Sequence, residues 1–269
     1  MQNILLTGAS AGIGLATARL LVERGYRVWG TSRSPDKLAQ IRDIHPLCMD
    51  LLKPDSIQQA FEQAVRESGG IDALINNAGC GLFGPFESTS ADAWAEQMQA
   101  LLYGPLQLTH LALAHMRERG KGIIINTSSL AAELPIPFMV TYNAAKAALS
   151  AATHSIQLEL GASSPVYVVD LRPGDICTSF HDNMQSVPKG GASLSTARMK
   201  QAYQSIEKNM RSAPPPELVA RAILHLVESP APPPTFRVGS FFQAKIAPLA
   251  PRFLPERWLQ AFIRIFYKI

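Results

Sequence analysis

The chain has 269 residues, of which 47% are hydrophobic, and its net charge at pH 7 is +4. This length allows a sizeable core in one α/β domain. The basic residues are scattered rather than clustered, so we expect no nucleic acid partner. Cys48, Cys80 and Cys177 lie far apart without a C-x-x-C pair, which argues against a disulfide framework or a zinc site and favours a reducing, cytoplasmic compartment.

Strand-like and helix-like segments alternate along the chain, as they do in parallel βαβ units. The predicted strands cover residues 3–7, 26–31, 47–49, 71–75, 122–127, 166–171 and 236–238. The predicted helices cover residues 12–24, 35–42, 54–67, 90–119, 141–160, 216–228 and 255–269. Because the connections are short, we predict one doubly wound parallel sheet with helices on both faces, formed by residues 1–240.

Residues 175–213 interrupt this alternation and form a candidate substrate lid. They include Lys189-Gly190-Gly191 and scattered apolar side chains: Phe180, Met184, Met199, Tyr203 and Met210.

Neither a secretory signal nor a membrane span is predicted. The apolar run at residues 3–6 is short and has no basic leader, and the chain has no run of eighteen apolar residues. The histidines show no metal-ligand spacing, so no metal is expected; they are His45, His110, His115, His154, His181 and His225.

A glycine-rich loop follows the first predicted strand. It contains Gly8, Gly12 and Gly14, with Ser10 and Ile13 between them. Such a loop, placed before a helix, lets backbone N–H groups and the helix dipole hold a pyrophosphate. A tight turn without a ligand is the alternative.

The second predicted strand ends in Thr31-Ser32-Arg33. NAD-binding folds usually place an acidic residue there to bind the ribose hydroxyls. An arginine beside a hydroxyl would instead hold a 2′-phosphate. We therefore expect NADP(H) rather than NAD(H), although a solvated surface arginine would give the same pattern.

Tyr142 and Lys146 share one face of a predicted helix, and Ser129 precedes the tyrosine by thirteen residues. An ammonium roughly 5–6 Å from a phenol, at an effective dielectric of about 20, favours the phenolate by about 3 kcal/mol. That energy corresponds to a pKa lowered by roughly 2. We therefore expect Tyr142 to act as acid and base, with Ser129 donating to the substrate oxygen. An amphipathic surface pair and a simple turn are the alternatives.

Together these motifs resemble the short-chain dehydrogenase/reductase family over about residues 3–240. The matching motifs are Thr7-Gly8-x-x-x-Gly12-Ile13-Gly14, Asp50, Asn76-Asn77-Ala78-Gly79, Ser129, Tyr142-x-x-x-Lys146 and Pro173-Gly174-x-x-x-Thr178. Residues 76–85 also resemble the members that act on retinoids, steroids and other lipid-like carbonyls.

The resemblance implies a Rossmann-type fold and an NADP(H)-dependent oxidoreductase that interconverts a carbonyl and its alcohol. It also implies cofactor contacts. Asp50 would meet the adenine, Asn77 would support the strand and the cofactor, Lys146 would bind the nicotinamide ribose, and Thr178 would bind the carboxamide. The remaining implied cofactor residues are Ala78, Gly79, Pro173 and Gly174.

One position departs from the family pattern. Members usually carry an asparagine in the central helix, three residues before a glycine, where it serves a water-linked proton relay. Counting back from Gly104 gives Leu101. This predicts an incomplete relay or a substitute group, and it leaves a weakened NADPH-binding sensor or scaffold as an alternative function.

The residues expected to flank the reacting carbonyl are apolar, namely Leu82, Phe83, Leu130, Pro135 and Phe138. They suit a hydrophobic aldehyde or ketone, although a simple core would have the same composition.

Residues 241–269 extend beyond the predicted domain, and their last helix is amphipathic. Such a helix either rests in a membrane interface or packs over the site or a partner subunit; we favour protein packing. The alanine-rich stretch 144–152 permits close helix contact, and the resemblance implies pairing through this helix, so a homodimer or homotetramer is expected.

Overall fold

The computed structural model describes residues 2–180, 184–186 and 193–269. His181 and Lys189-Gly190-Gly191 of the predicted lid lie outside the described residues. The strands are β1 (Asn3–Leu6), β2 (Arg27–Ser32), β3 (His45–Cys48), β4 (Ala73–Asn76), β5 (Leu82–Phe83), β6 (Gly122–Thr127), β7 (Val166–Pro173), β8 (Gln185–Ser186) and β9 (Thr235–Val238). The helices are α1 (Gly12–Glu23), α2 (Pro54–Ser68), α3 (Ala91–Met98), α4 (Gly104–Arg119), α5 (Val140–Leu160), α6 (Ser193–Arg211), α7 (Glu217–Glu228), α8 (Ala250–Phe253) and α9 (Glu256–Tyr267).

Within the described residues, seven parallel strands form one sheet in the order β3-β2-β1-β4-β6-β7-β9. The chain winds outward from β1 to β3 and then crosses to β4 on the other side of β1. This reversal opens a crevice at the carboxyl ends of β1 and β4, where such sheets bind their ligands. The predicted doubly wound Rossmann-type fold is confirmed.

Helices cover both faces of the sheet, because consecutive strand side chains point to opposite sides. Ile4 and Leu6 of β1 belong to a core that includes residues of α1 and α7. Leu5, between them, belongs to a second core formed with α2 and α4. This alternation gives three layers around two cores.

The predicted helix over residues 90–119 contains an irregularity. α3 and α4 are joined by a π-helical turn, Gln99–Tyr103. Pro105 has no N–H to donate to the carbonyl of Leu101, one turn earlier, which disfavours regular α-helix there. The predicted helix over residues 35–42 is also wrong in extent, because only the 3-10 turn Pro35–Leu38 forms.

The lid and the tail contain elements that the sequence did not predict. β8 pairs with β5 in a small separate sheet, and α6 packs against α9. The backbone carbonyl of Tyr267 accepts a hydrogen bond from Ser205 of α6 at 3.0 Å. Among the described residues, no helix is long and apolar enough to cross a membrane.

Candidate active site

The glycine loop is a tight turn that tolerates no side chain at two positions. Gly8 has a φ of 70°, which disfavours residues with a Cβ. A Cβ on Gly14 would overlap the carbonyl oxygen of Gly8. The backbone N–H groups at the start of α1 are therefore open to a ligand.

The end of β4 is tied to the end of β1 through Thr7 and Asn77. The Thr7 hydroxyl accepts hydrogen bonds from the N–H groups of Asn77 and Ala78, at 2.9 and 3.0 Å. Asn77 Nδ2 donates to the carbonyl oxygen of Thr7 at 3.0 Å. These bonds match the strand-supporting part that the resemblance implies for Asn77.

A cavity of about 930 Å³ opens at this edge of the sheet. It is lined by all the residues predicted to contact the cofactor: Gly8, Ser10, Gly12, Ile13, Gly14, Ser32, Arg33, Asp50, Asn77, Ala78, Gly79, Tyr142, Lys146, Pro173, Gly174 and Thr178. The tight glycine turn, together with the polar side chains of Ser10, Ser32, Arg33 and Asp50 on the cavity wall, fits a dinucleotide.

Two cations line the cavity where β2 ends. Arg33 is exposed there, and so is Lys37 in the following 3-10 turn. Ser32 Oγ donates to Ser10 Oγ at 3.4 Å, which links this end to the glycine loop. The sequence interpretation missed Lys37, which lies in the 3-10 turn Pro35–Leu38 just after β2.

Ser129, Tyr142 and Lys146 come together on the cavity wall. Ser129 caps the short turn after β6 and is within hydrogen-bonding reach of the Tyr142 phenol. Lys146 is buried, and its Nζ donates to the carbonyl oxygen of Thr127 at 2.7 Å. Its Nζ lies 5.9 Å from the centre of the Tyr142 ring.

Burial dominates the ionisation of this trio. It raises the pKa of Tyr142 to about 12, partly opposed by the hydrogen bond with Ser129 and reinforced by the charge of Asp175. Burial also lowers the pKa of Lys146 to about 8. The predicted lowering of the Tyr142 pKa by the lysine is therefore wrong for the protein groups alone, because burial disfavours both charged forms. At neutral pH the phenol keeps its proton.

Leu101, at the expected asparagine position, cannot serve a proton relay. It is fully buried in an apolar cluster with Leu102, Ala145 and Leu149. Gln97, one helical turn earlier, is buried and lines the cavity. Its Nε2 donates to the Cys80 carbonyl at 3.3 Å, whereas its Oε1 has no hydrogen-bond partner within the described part of the chain.

The apolar end of the cavity differs in part from the sequence prediction. Leu82, Leu130 and Pro135 line it. Phe83 and Phe138 were predicted to line it but pack behind its wall; Phe83 contacts Phe138 and Tyr203, with ring centres 5.8 and 5.4 Å apart. Consecutive strand residues face opposite sides, so Leu82 and Phe83 cannot both face the cavity.

Much of this apolar wall comes from elements late in the chain. The contributing side chains from α6 and α9 are Ile206, Met210, Phe262, Ile263, Phe266 and Tyr267. The sequence interpretation placed Met210 in the candidate lid and allowed the tail helix to pack over the site, but it did not specify which side chains of α9 would reach the cavity.

Comparison with known proteins identifies the family of this chain. The family profile described as short chain dehydrogenase matches residues 2–188. The chain belongs to the short-chain dehydrogenase/reductase family. It is therefore an oxidoreductase that acts on alcohol or carbonyl groups.

Among curated relatives of this family member, a 3-ketodihydrosphingosine reductase of Bacteroides thetaiotaomicron is 34% identical over 269 residues, covering 100% of this chain and 98% of its own. A probable NADP-dependent dehydrogenase of Haemophilus influenzae is 29% identical over 235 residues, covering 84% of this chain and 87% of its own.

Two solved structures illustrate the similarity of fold. A short-chain dehydrogenase from Streptomyces avermitilis, 24% identical, superposes with a TM-score of 0.81 over 99% of this chain and 96% of its own. A metagenomic short-chain oxidoreductase in complex with NADP is 26% identical. It superposes with a TM-score of 0.70 over 88% of this chain and 96% of its own.

Proposed function

We propose that this short-chain dehydrogenase/reductase uses NADPH to reduce a hydrophobic long-chain ketone. The observation that carries the proposal is that Tyr142 lines the same cavity as the glycine loop and the apolar side chains of α6 and α9. The name of the Bacteroides relative, a reductase of 3-ketodihydrosphingosine, supports a ketone with a long alkyl chain.

The residues of the glycine loop, with Arg33 and Lys146, would hold NADPH, which when bound would supply the hydride for the carbonyl carbon. Tyr142 donates its phenolic proton to the carbonyl oxygen, which completes the alcohol, and Ser129 donates a hydrogen bond to the same oxygen. Lys146 would hold the nicotinamide ribose beside them. Gln97 would replace the asparagine of the proton relay, whose position Leu101 occupies. Its unpartnered Oε1 would accept a hydrogen bond from a relay water molecule.

A substrate series tests this activity. We expect NADPH-dependent reduction of saturated ketones, with KM falling as the chain is lengthened from six to eighteen carbons, because each buried CH₂ contributes about 0.8 kcal/mol. Consumption of NADPH, followed by its absorbance, measures the rate. Retinoid and steroid carbonyls belong in the same series because residues 76–85 also resemble enzymes of those classes.

The alternative is an NADPH-binding sensor or scaffold without turnover. Its only support is the apolar Leu101, and the intact trio of Ser129, Tyr142 and Lys146 argues against it. NADPH binding without reduction of any carbonyl in the series would favour this alternative.

For the cofactor, we expect NADPH to bind at least about tenfold more tightly than NADH. Arg33 and Lys37 are available to a 2′-phosphate, and losing a charge-assisted hydrogen bond costs roughly 1.5–3 kcal/mol. The substitutions Arg33→Ala and Lys37→Ala, made singly and together, should weaken NADPH binding and leave NADH binding nearly unchanged, as measured by fluorescence titration. Equal affinities of the unchanged protein for both cofactors would contradict the assignment.

We further propose that the tail, residues 241–269, rests on an anionic lipid surface. It contains five basic residues and one acidic residue and so carries the whole net charge of the chain. Its exposed apolar side chains include Phe241, Phe253, Trp258 and Ile265, which are 75%, 74%, 58% and 77% exposed. Basic and aromatic residues in this combination suit a membrane interface, from which a long-chain ketone could enter the cavity.

We also propose a homodimer or homotetramer assembled through α4 and α5. Leu158 on α5 is 84% exposed, and alanines at 144 and 151 lie on the exposed side of the same helix. Small side chains of this kind allow two helices to approach closely.

A further inference from the structure

Asp175 places a carboxylate on the cavity wall near the reacting group. It follows Gly174 just beyond β7, is partly buried, and lines the cavity. Its negative charge is one of the causes that raise the pKa of Tyr142 and the pKa of Tyr267. Asp175 is therefore close enough to influence both the reacting phenol and the end of the tail.

The carboxylate is held in place by Gln243. Gln243 Nε2 donates to Asp175 Oδ2 at 2.6 Å, and the Asp175 N–H donates to Gln243 Oε1 at 3.0 Å. Gly174 makes this approach possible, because a Cβ there would lie 2.6 Å from Gln243 Oε1. The reciprocal bonds fix the carboxylate and leave Oδ1 without a hydrogen-bond donor among the described residues.

No cation of the described residues pairs with this carboxylate. Burial raises the pKa of Asp175, and the hydrogen bond from Gln243 is what opposes the rise. An acidic group partly removed from water without a counter-charge is unfavourable for folding. Ionisable groups of this kind, lining a cleft, are typical of ligand sites.

We infer that Asp175, held by Gln243, binds a cationic amine that the ketone substrate carries beside its carbonyl. The inference rests on the proposed function and specifies its substrate as a long-chain amino ketone. Such a molecule offers a carbonyl to Tyr142 and Ser129, an ammonium to Asp175 and an alkyl chain to the apolar wall.

The amine would also assist the reaction. A positive charge beside Asp175 offsets the negative charge that helps to raise the pKa of Tyr142, so the bound substrate makes the phenol a better proton donor. Asp50 and Glu96 also place carboxylates on the cavity wall; Asp50 belongs to the expected cofactor contacts, so Glu96 is the matched comparison. It is exposed to water and is not among the causes that shift the pKa of Tyr142.

The substitution Asp175→Asn removes the charge and keeps a side chain of nearly the same shape that can still hydrogen-bond with Gln243. Two substrates are compared: 3-ketodihydrosphingosine, and a ketone of the same chain length without the amine. We expect the ratio of kcat/KM for the amino ketone to kcat/KM for the plain ketone to fall at least tenfold. The control variants Glu96→Gln and Glu159→Gln should keep the ratio of the unchanged protein.

An equal loss on both ketones would mean that Asp175 only holds the tail in place, and it would overturn the inference. An unchanged ratio, or a ratio lost in Glu96→Gln instead, would do the same.

A binding measurement on the unchanged protein separates this inference from the proposed reaction. By calorimetry, n-octylamine should bind at least tenfold more tightly than 1-octanol, and the Asp175→Asn and Asp175→Ser variants should lose that difference. If neither ketone is reduced, the proposed reaction fails while these titrations still decide the amine site. Equal affinity of the unchanged protein for the two probes overturns the inference, whether or not the variants fold.

Discussion

Replacing Tyr142 with phenylalanine should lower kcat for ketone reduction by about a thousandfold and change the NADPH dissociation constant by no more than about threefold, since a positioned general acid typically contributes 10²–10⁴. The phenol keeps its proton at neutral pH, with a pKa of about 12, and so has a proton to donate. Phenylalanine can retain the ring contact with Phe180, whose centre lies 5.7 Å away, so the fold should persist. NADPH absorbance reports kcat, and fluorescence titration reports binding.

Two further variants make this test specific. Tyr203→Phe removes a hydroxyl from a tyrosine that packs behind the cavity wall against Phe83, and it should preserve turnover. Lys146→Ala should lower both kcat and NADPH affinity, because the lysine is expected to serve both. Substantial turnover by Tyr142→Phe would eliminate the phenol as the proton donor.

The cofactor half of the site was predictable because its residues are placed by backbone geometry. A glycine turn between β1 and α1, and residues at the carboxyl ends of adjacent parallel strands, must meet at one edge of the sheet. The i, i+4 spacing of Tyr142 and Lys146 puts both on one face of α5. The local sequence pattern was therefore sufficient to predict that these residues lie at the same site.

The ionisation of the trio could not be predicted in the same way. The sequence fixes the distance between a phenol and an ammonium on one helix, but it does not show how far either is removed from water. Burial of Tyr142 and Lys146 reverses the expected direction of the tyrosine pKa.

The substrate half was less predictable because it is built from distant segments. Asp175 and Gln243 are 68 residues apart, and α9, which forms part of the cavity wall, packs against α6 and α8. The two-residue strand β5 is too short to show an alternating pattern, so the opposite directions of Leu82 and Phe83 were hidden. Gln97 gave no signal, because a glutamine on a helix is usually exposed.

The structure of the tail is compatible with both roles that the sequence presented as alternatives. Phe262, Ile263 and Tyr267 line the cavity, which agrees with packing over the site. Trp258 and Ile265 of the same helix remain exposed, as an interfacial helix requires. The lipid contact proposed above is thus compatible with a cavity wall formed by the opposite face of α9.

Full-length protein with both Arg257 and Arg264 changed to glutamate provides the first test of the lipid contact. These arginines are exposed and do not line the cavity, so ketone reduction in detergent should continue. Flotation with vesicles containing anionic lipid should be lost, because each basic residue near such a surface contributes about 1 kcal/mol. Reversing the exposed Arg24 and Arg42 instead, outside the tail, should preserve flotation.

Truncation after Pro251 should then affect both roles of the tail together. Loss of α9 removes Phe262 and Ile263 from the cavity wall, and fully burying one large apolar side chain is worth roughly 1.5–3 kcal/mol. We therefore expect KM for a long-chain ketone to rise at least about tenfold and vesicle flotation to disappear. The dissociation constant of NADPH should stay within about threefold, because α9 packs mainly against α6 and α8. An unchanged KM would show that α9 is not part of the substrate wall, and undiminished flotation would overturn the lipid contact.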